Sequence, residues 1–380
     1  MSMFLFIFFC IYGGTHLYFF TKAKLAFGFG SESGICLGLF LIAMVLAPVM
    51  IRLLEREGFE NAARLMAYIG YIWMGFLFLF FTASLLIDCY NFLVFCVSRV
   101  SHSAFLSIQI PVRIAFFSAC SLSAMLSLYG YFEALDVRTE RIVVKSEKIP
   151  KVPGKVTVVQ ISDVHLGLIV REERLRRILN EVGKAQPDLL VSTGDLVDGD
   201  INRLPGLAAM FDEIRPRYGK FAVTGNHEAY AGLEKALDFT ERAGFKTLRN
   251  EELLIGTSLA VAGVDDPALR MRYPSQTVDE KGVLSAIPRS RFVLLLKHRP
   301  VVEGESLGRF DLQLSGHVHK GQIFPFSVIT HLFYPVKMGY SRPSMTSSLY
   351  VSRGSGTWGP PIRFLAPPEV TVIELVHTGI

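Results

Sequence analysis

Four long apolar stretches within the first 137 residues of this 380-residue chain limit what that part can fold into. They comprise residues 3–20, 33–51, 67–97 and 104–132. An α-helix crosses the hydrocarbon core of a bilayer with about 20 consecutive apolar residues. The only charged side chains inside the stretches are Asp88 and Arg113. Because the stretches are apolar on all sides, whereas a soluble helix has a polar face, they predict four transmembrane helices.

Asp88 and Arg113 require an explanation, because ionisable residues inside a membrane are costly and often functional. The two side chains could pair with each other or reach an interface, which would be structural roles. They could instead mark a transport path. No inverted repeat of the kind found in transporters is visible in this region, so we favour the structural roles.

The first stretch has neither a basic leader nor a small-residue cleavage site, and we interpret it as a retained helix. With four spans, the large C-terminal part lies on the same side of the membrane as the loops rich in Lys and Arg. Because such loops face the cytoplasm, the sequence predicts a multi-pass membrane protein with its C-terminal part in the cytoplasm. The basic residues on this side are Arg52, Arg56, Arg64, Arg138, Arg141, Lys145, Lys148 and Lys151, against Lys22, Lys24 and Arg99 opposite. One span more or fewer would reverse the orientation.

Charge and cysteine content narrow the function of the remaining residues. The whole net charge of +5 lies in 138–380, where it is spread out. Because no basic stripe or recognised module is present, we expect no nucleic-acid partner. All five cysteines lie in the apolar part, so a thiolate metal site or a cysteine nucleophile is excluded from the C-terminal part.

From residue 138 the sequence changes to charged segments punctuated by Gly and Pro, and we interpret 138–154 as a linker into a domain over 155–380. Apolar strand-like runs alternate with helical patterns, which predicts an α/β fold with two packed sheets and helices outside. The predicted strands are 156–161, 188–192, 221–224, 253–256, 259–264, 291–296, 311–314, 348–352 and 370–375. The predicted helices are 171–184, about 203–214 and 231–243.

Seven side chains of metal-ligand type follow these strands. They are Asp163, His165, Asp195, Asn226, His298, His317 and His319. Because ligand sites in layered α/β folds gather at the carboxyl ends of strands, we expect the seven to converge. A set of imidazole, carboxylate and amide ligands suits Mn, Fe or Zn and argues against Ca or Mg as the native ion.

Seven ligands are too many for one tetrahedral ion and suit two divalent ions that share a bridge, for which Asp195 is the natural candidate. Two ions about 3.5–4 Å apart can ionise a bridging water and clamp phosphoryl oxygens for in-line displacement. A proton donor for the leaving oxygen is then needed, and His227 is the best candidate.

Five blocks in this order resemble the calcineurin-like metallophosphoesterase superfamily, and the later segments Gly321-Gln322-Ile323 and Val351-Ser-Arg353-Gly354 look like its membrane-associated bacterial branch. The blocks are Asp163-Val-His165, Gly194-Asp195-Leu-Val-Asp198, Gly225-Asn226-His227-Glu228, Lys297-His298 and Gly316-His317-Val-His319. The resemblance implies a four-layer fold of two mixed β-sheets flanked by helices, here preceded by the membrane helices.

The resemblance also implies roles for single residues. One ion would be held by Asp163, His165, Asp195 and His319, and the other by Asp195, Asn226, His298 and His317. His227 would be the catalytic histidine and Asp198 the carboxylate that orients it. Many relatives have Gly where this chain has Lys320, so a contact of Lys320 with substrate phosphate is our own hypothesis. Arg299 and Arg353 are further substrate-binding candidates.

The sequence therefore predicts a membrane-anchored phosphohydrolase that cleaves a phosphoester or pyrophosphate bond by attack of a metal-bridging hydroxide. Its partners would be membrane lipids and a phosphorylated small molecule or lipid-linked phosphate. The alternative is a non-catalytic, metal-stabilised membrane sensor or scaffold. Glu228 is interpreted as a first-turn helix residue without a catalytic role. The apolar segment 323–336 could grip an acyl chain, touch the membrane or form an ordinary buried loop.

Overall fold

The computed structural model describes residues 2–101, 105–152, 154–199, 206–273 and 279–378, and the chain divides into two compact units. The first unit contains Met1–Phe132 with Gly359–Ile362, and the second contains Glu133–Trp358 with Arg363–Ile380. The first unit thus includes a short segment from late in the sequence in addition to the apolar N-terminal part.

The first unit is helical. Its elements are α1 (Ser2–Phe27), α2 (Ser31–Glu57), α3 (Glu60–Ser101), a 3-10 turn (Phe105–Ile108) and α4 (Val112–Glu133). Within the part of the chain that the structure describes, three helices, α2, α3 and α4, are long and apolar enough to cross a membrane. The stretch predicted as the first span lies within α1, which is not one of these three helices. Large apolar side chains such as Phe6, Leu86 and Leu128 are exposed on these helices, as expected of surfaces that face lipid.

The two charges inside the apolar helices are bonded, but not to each other. Asp88 pairs with Lys22 and accepts a hydrogen bond from the Tyr18 hydroxyl at 2.6 Å. Arg113 donates through Nε to the Ala26 carbonyl at 2.9 Å. Both side chains are therefore satisfied within the helical unit, and the possible Asp88–Arg113 pair does not form.

The second unit contains two six-stranded sheets of mixed direction. The first has the order β1-β12-β2-β3-β4-β5 and the second β10-β11-β9-β8-β7-β6. The strands are β1 (Arg138–Ser146), β2 (Lys155–Ile161), β3 (Leu189–Ser192), β4 (Lys220–Ala222), β5 (Phe245–Thr247), β6 (Glu251–Ile255), β7 (Leu259–Gly263), β8 (Phe292–Leu296), β9 (Leu312–Ser315), β10 (Gly339–Ser341), β11 (Ser348–Val351) and β12 (Glu369–His377). The helices are α5 (Glu172–Ala185), α6 (Asn226–Ala231), α7 (Leu233–Arg242), α8 (Pro267–Arg272), α9 (Glu280–Ala286) and α10 (Phe326–Phe333).

The two sheets pack face to face, and helices cover their outer faces. Buried side chains of both sheets, among them Val158 and Val191 of the first and Leu294 and Leu314 of the second, form one apolar cluster. Helix α5 lies against β2 and β12 of the first sheet, and α9 packs on Ala260 and the outer face of the second. The predicted four-layer α/β arrangement is confirmed.

Two local expectations require correction. Residues 138–154 were expected to form a linker, but Arg138–Ser146 is strand β1, which pairs in parallel with β12. Its side chains are exposed or half-buried, so this edge strand lacks the apolar pattern of a core strand. The helix expected over 203–214 is a 3-10 turn at Ala209–Glu213, and its first three residues lie outside the described residues.

Candidate metal centre

The seven predicted ligands lie in the loops that follow five strands. Asp163 and His165 follow β2, Asp195 follows β3, and Asn226 begins α6 after β4; His298 follows β8, and His317 and His319 follow β9. Strands β2, β3 and β4 run parallel in the first sheet, as do β8 and β9 in the second. Because parallel strands end at the same edge of their sheet, the fold brings the loops of both sheets together.

The backbone of this loop cluster is held in an unusual conformation. Asp163, His165, Asp195, His317 and His319 have φ between 46° and 73°, a region that non-glycine residues rarely adopt. Residues in such conformations persist when their surroundings fix them, and they cluster at functional sites. Asp163 N–H donates to the Gly194 carbonyl and His165 N–H to the Asp195 carbonyl, both at 3.0 Å, so the β2 and β3 loops fix each other.

Gly194 is required by the packing of this cluster. Its φ is +94°, and a Cβ there would lie 2.7 Å from Nδ1 of His298. Any other residue would therefore be strained and would also displace a ligand. This explains why a glycine precedes Asp195.

The donor atoms converge in two groups that meet at Asp195. In the first group, His319 Nε2 lies 3.1 Å from His165 Nε2 and 3.3 Å from Asp163 Oδ1. In the second group, His298 Nε2 is the central atom. It lies 3.1 Å from His317 Nδ1, 3.2 Å from Asn226 Oδ1 and 3.2 Å from Asp195 Oδ2. The same Oδ2 lies 3.9 Å from His165 Nε2, so one carboxylate oxygen faces both groups.

Hydrogen bonds from neighbouring groups orient these ligands. His298 donates through Nδ1 to the Thr193 carbonyl at 2.8 Å, which directs Nε2 at the donor group. The Asp163 carboxylate accepts from the His317 N–H at 3.0 Å and from the Ser162 hydroxyl at 2.5 Å. Outer bonds of this kind are typical of metal ligands.

The electrostatics of the cluster fit divalent ions. Burial lowers the pKa of His165 and of His317 to about 3, so both imidazoles are neutral and keep a lone pair for coordination. Burial raises the pKa of Asp163 to about 6, because the ionised carboxylate loses its solvation by water. A nearby cation stabilises the ionised form of such a carboxylate. The buried donors, an N/O set without sulfur, could therefore hold two ions that share Asp195.

His227 and Asp198 form a pair at the side of the two donor groups. His227 Nδ1 lies 3.0 Å from Asp198 Oδ1, which leaves Nε2 as the nitrogen not bonded to Asp198. The His227 ring contacts the His165 ring with centroids 4.6 Å apart. Burial lowers the pKa of His227, but the Asp195 and Asp198 carboxylates outweigh this effect and raise it to about 9. In the metal-free protein the imidazole is thus protonated near neutral pH.

The three predicted substrate-binding cations differ in their surroundings. Arg299 forms a two-pronged ion pair with Asp266 at 2.7 and 3.1 Å. Arg353 is buried between Glu369, at 2.6 Å, and Glu140, so two carboxylates neutralise its guanidinium. Lys320 is half-buried directly after His319, and burial lowers its pKa. The two arginines are thus held by carboxylates, whereas Lys320 lies beside a predicted ligand.

Glu228 contributes more to the centre than a first-turn residue would. Its buried carboxylate accepts hydrogen bonds from the N–H groups of Gly225, Leu196 and Asp195 at 2.6, 2.8 and 3.0 Å. It thereby joins the loop of Asp195 to the start of the helix that presents Asn226. The only feature of the sequence that pointed to this role of Glu228 was its position two residues after the predicted ligand Asn226.

Arg363 also was not assigned a role from the sequence. It is fully buried and donates to the carbonyls of Arg353 at 2.7 Å and Ala366 at 3.1 Å, while its Nη2 lies 3.2 Å from His319 Nδ1. The feature of the sequence that could have indicated a buried role for Arg363 is its position as the one charged residue of the apolar run 362–366. Its guanidinium fixes the loop behind His319.

Aromatic side chains surround the histidines. Tyr230 and Trp358 contact the His227 ring at centroid distances of 5.4 and 5.9 Å, and Tyr334 contacts the His317 ring at 5.4 Å. The Gln322 side-chain amide donates to the Trp358 carbonyl at 2.8 Å and accepts from the Trp358 N–H at 2.9 Å. These rings form a half-exposed rim at the centre.

Comparison with known proteins agrees with this geometry. Residues 156–321 match the family model described as calcineurin-like phosphoesterase. An uncharacterized metallophosphoesterase of Aquifex aeolicus is 39% identical over 260 residues, which are 68% of this chain and 99% of that protein. A transmembrane protein with metallophosphoesterase domain of Danio rerio is 32% identical over 269 residues, 68% of this chain and 62% of that protein.

Among solved structures, a 5'-nucleotidase precursor of Thermus thermophilus is 19% identical, with a TM-score of 0.35 over 58% of this chain and 54% of that chain. Members of the matched family use divalent metals, in agreement with the clustered donors. The family predicted from the five blocks is confirmed. The chain belongs to the calcineurin-like metallophosphoesterase family.

Proposed function

We propose that this chain is a membrane-anchored phosphohydrolase that uses two divalent metal ions to cleave a phosphoester or pyrophosphate bond. The observation that carries the proposal is the convergence of donor atoms in two groups on Oδ2 of Asp195, 3.2 Å from His298 and 3.9 Å from His165. A shared carboxylate between two N/O donor groups suits a two-metal phosphoesterase.

The proposed first ion is held by Asp163, His165, Asp195 and His319. The second is held by Asp195, Asn226, His298 and His317. When bound, two such ions supply Lewis acidity to the phosphoryl group and activate the attacking water. Neutral imidazoles and a buried carboxylate pair are the donors that this chemistry requires.

The chain's own side chains supply the proton transfer. In the proposed role, His227 donates the proton of its Nε2 to the leaving oxygen. Asp198 holds the imidazole through Nδ1 at 3.0 Å and stabilises its protonated form. Lys320 is proposed to contact a non-reacting phosphate oxygen, because it directly follows the ligand His319 and is half-buried. Arg299 remains a weaker candidate for the same contact because of its ion pair with Asp266.

We further propose that α1 to α4 all cross the bilayer and that the catalytic unit lies in the cytoplasm. The support is the excess of Lys and Arg in the loops of that side. Confinement to the membrane makes a lipid-linked phosphate or pyrophosphate a suitable substrate, because a substrate in the bilayer plane has a high effective concentration. A reporter fused to the C-terminus and assayed in intact cells would locate that side, and an external reporter would contradict the orientation.

The test of the proposed activity uses the full chain in nanodiscs, loaded with Mn, Fe or Zn and offered a phosphomonoester, a phosphodiester and a pyrophosphate. We expect hydrolysis of at least one, and its loss in Asp195→Asn. Asp238→Asn, the same change at an exposed position of α7, should retain wild-type activity. If the loaded protein hydrolysed none of the three and bound two ions all the same, the non-catalytic alternative would replace the enzyme.

A further inference from the structure

Helix α10 presents an apolar face that nothing in the described part of the chain covers. Leu332, Phe333 and Val328 are 78%, 74% and 57% exposed, and Ile329 is 46% exposed. Ser327 is the buried residue of this helix, so α10 is fixed to the unit by its polar side. Contiguous exposed apolar side chains of this kind mark an interaction surface.

The segment of the chain that contains this face carries charge of one sign. Residues 312–368 contain no Asp or Glu, although they contain Lys320, Lys337, Arg342, Arg353 and Arg363. The last two arginines are buried and bonded, whereas Arg342 is exposed and Lys337 lies at the end of the apolar segment. An exposed apolar helix flanked by cations is the pattern of a segment that lies in the interface of an anionic bilayer.

The face adjoins the metal centre. Tyr334, which directly follows α10, contacts the ring of His317 with centroids 5.4 Å apart. Gly321, two residues after His319, approaches Ser327 so closely that a Cβ would lie 2.5 Å from the Ser327 Cα. The helix is therefore fixed beside the loop that presents two of the seven ligands.

We propose that α10, with the flanking residues Phe324 and Met338, inserts into the headgroup region of the bilayer and holds the rim of the metal centre at the membrane surface. The occupant is a lipid bilayer with anionic headgroups. A second copy of this chain fits less well, because a symmetric contact would place Lys337 and Arg342 near their own counterparts. The proposed insertion does not depend on the proposed activity. A role of this helix in bringing a lipid-linked substrate to the metal centre would depend on that activity.

The experiment places a photoreactive benzoylphenylalanine in the full chain, in nanodiscs of phosphatidylglycerol and phosphatidylcholine. Leu332 is the probe position, and Leu254, an exposed leucine of the edge strand β6, is the matched control. We expect at least about tenfold more lipid adduct from position 332 than from position 254 after irradiation. Equal lipid yields at both positions, or crosslinks from position 332 mainly to a second protein chain, would overturn the proposal.

A second probe protects the result against local misfolding. Ile329 lies on the same face as Leu332, and we expect it to yield lipid adducts in a variant that binds as much metal as the wild type. Correct metal content with no lipid adduct at position 329 or 332 would exclude insertion. Because the readout is the adduct mass, a failure of the proposed hydrolysis leaves this test unaffected.

Discussion

Glu228→Gln should weaken the metal centre without removing any ligand. The Glu228 carboxylate is buried and accepts three backbone N–H bonds, two at Oε2 and one at Oε1. A glutamine side chain offers one oxygen acceptor and places its NH₂ group against at least one of these N–H donors. The loops of Asp195 and Asn226 would therefore separate.

The magnitude follows from these contacts. A hydrogen bond to a charged group contributes about 1.5–3 kcal/mol, and a buried donor left unsatisfied costs about 1–3 kcal/mol. Burial and the Asp195 carboxylate raise the pKa of Glu228 to about 7, so the cost of ionising it offsets part of this contribution. We expect Glu228→Gln to lower the free energy of unfolding by about 2–4 kcal/mol at pH 8, where the carboxylate is ionised.

The measurement is thermal unfolding of the full chain in detergent at pH 8, with metal titration of the folded protein. A loss of this size corresponds to a decrease of about 5–10 °C in the Tm of the second unit. Outer-sphere changes typically weaken metal binding by about 10- to 100-fold, and we expect a shift in that range. Glu234→Gln makes the same change at an exposed position of α7 and should leave both quantities unchanged.

Two outcomes would contradict the role of Glu228 in joining the two loops. If Glu228→Gln unfolded within about 0.5 kcal/mol of Glu234→Gln and bound metal with wild-type affinity, Glu228 would not join the two loops. Loss of metal affinity with unchanged stability would contradict the stated cause, because the same three bonds determine both effects.

Asp198→Asn should lower kcat by about 10²- to 10⁴-fold at unchanged metal content, since it removes the partner of His227 and no ligand; a loss of metal would contradict this assignment. Arg363→Lys should destabilise the protein by about 2–4 kcal/mol, because a single ammonium group cannot reach the carbonyls of Arg353 and Ala366 together; unchanged urea unfolding would refute it. For metal-free protein, the raised pKa of His227, about 9, predicts stability that is fully present below pH 6.5 and is lost as the pH rises through 9; His227→Asn should flatten this pH dependence of Tm. Chelation should abolish activity, and addition of Mn, Fe or Zn should restore it in the wild type but not in Asp195→Asn.

Much of the site could be predicted because its signals are local. A candidate metal ligand is recognised by its chemical type, and the position after a strand is recognised from a short apolar run. The blocks around Asp163, Asp195 and His317 carry both signals within a few residues. The structure brings all seven predicted ligands together.

The cations show where local signals fail. Arg353 and Lys320 both follow a strand, and the sequence does not show that a carboxylate holds either of them. Only the structure places Arg353 against Glu140 and Glu369, which lie far from it along the chain. Charge pairing depends on such long-range contacts, so only the structure shows that the surroundings of the two residues differ.

The sequence by itself determined the apolar helical half, the α/β half, the ligand set and the family, because hydropathy, periodicity and ligand type are properties of short segments. The tertiary structure alone decided that one oxygen of Asp195 faces both donor groups, that Glu228 and Arg363 fix the loops, and that α10 leaves its apolar face uncovered. Those features depend on which distant segments meet at distances of a few ångström. Such contacts are set by the packing of the two sheets, and no short segment encodes them.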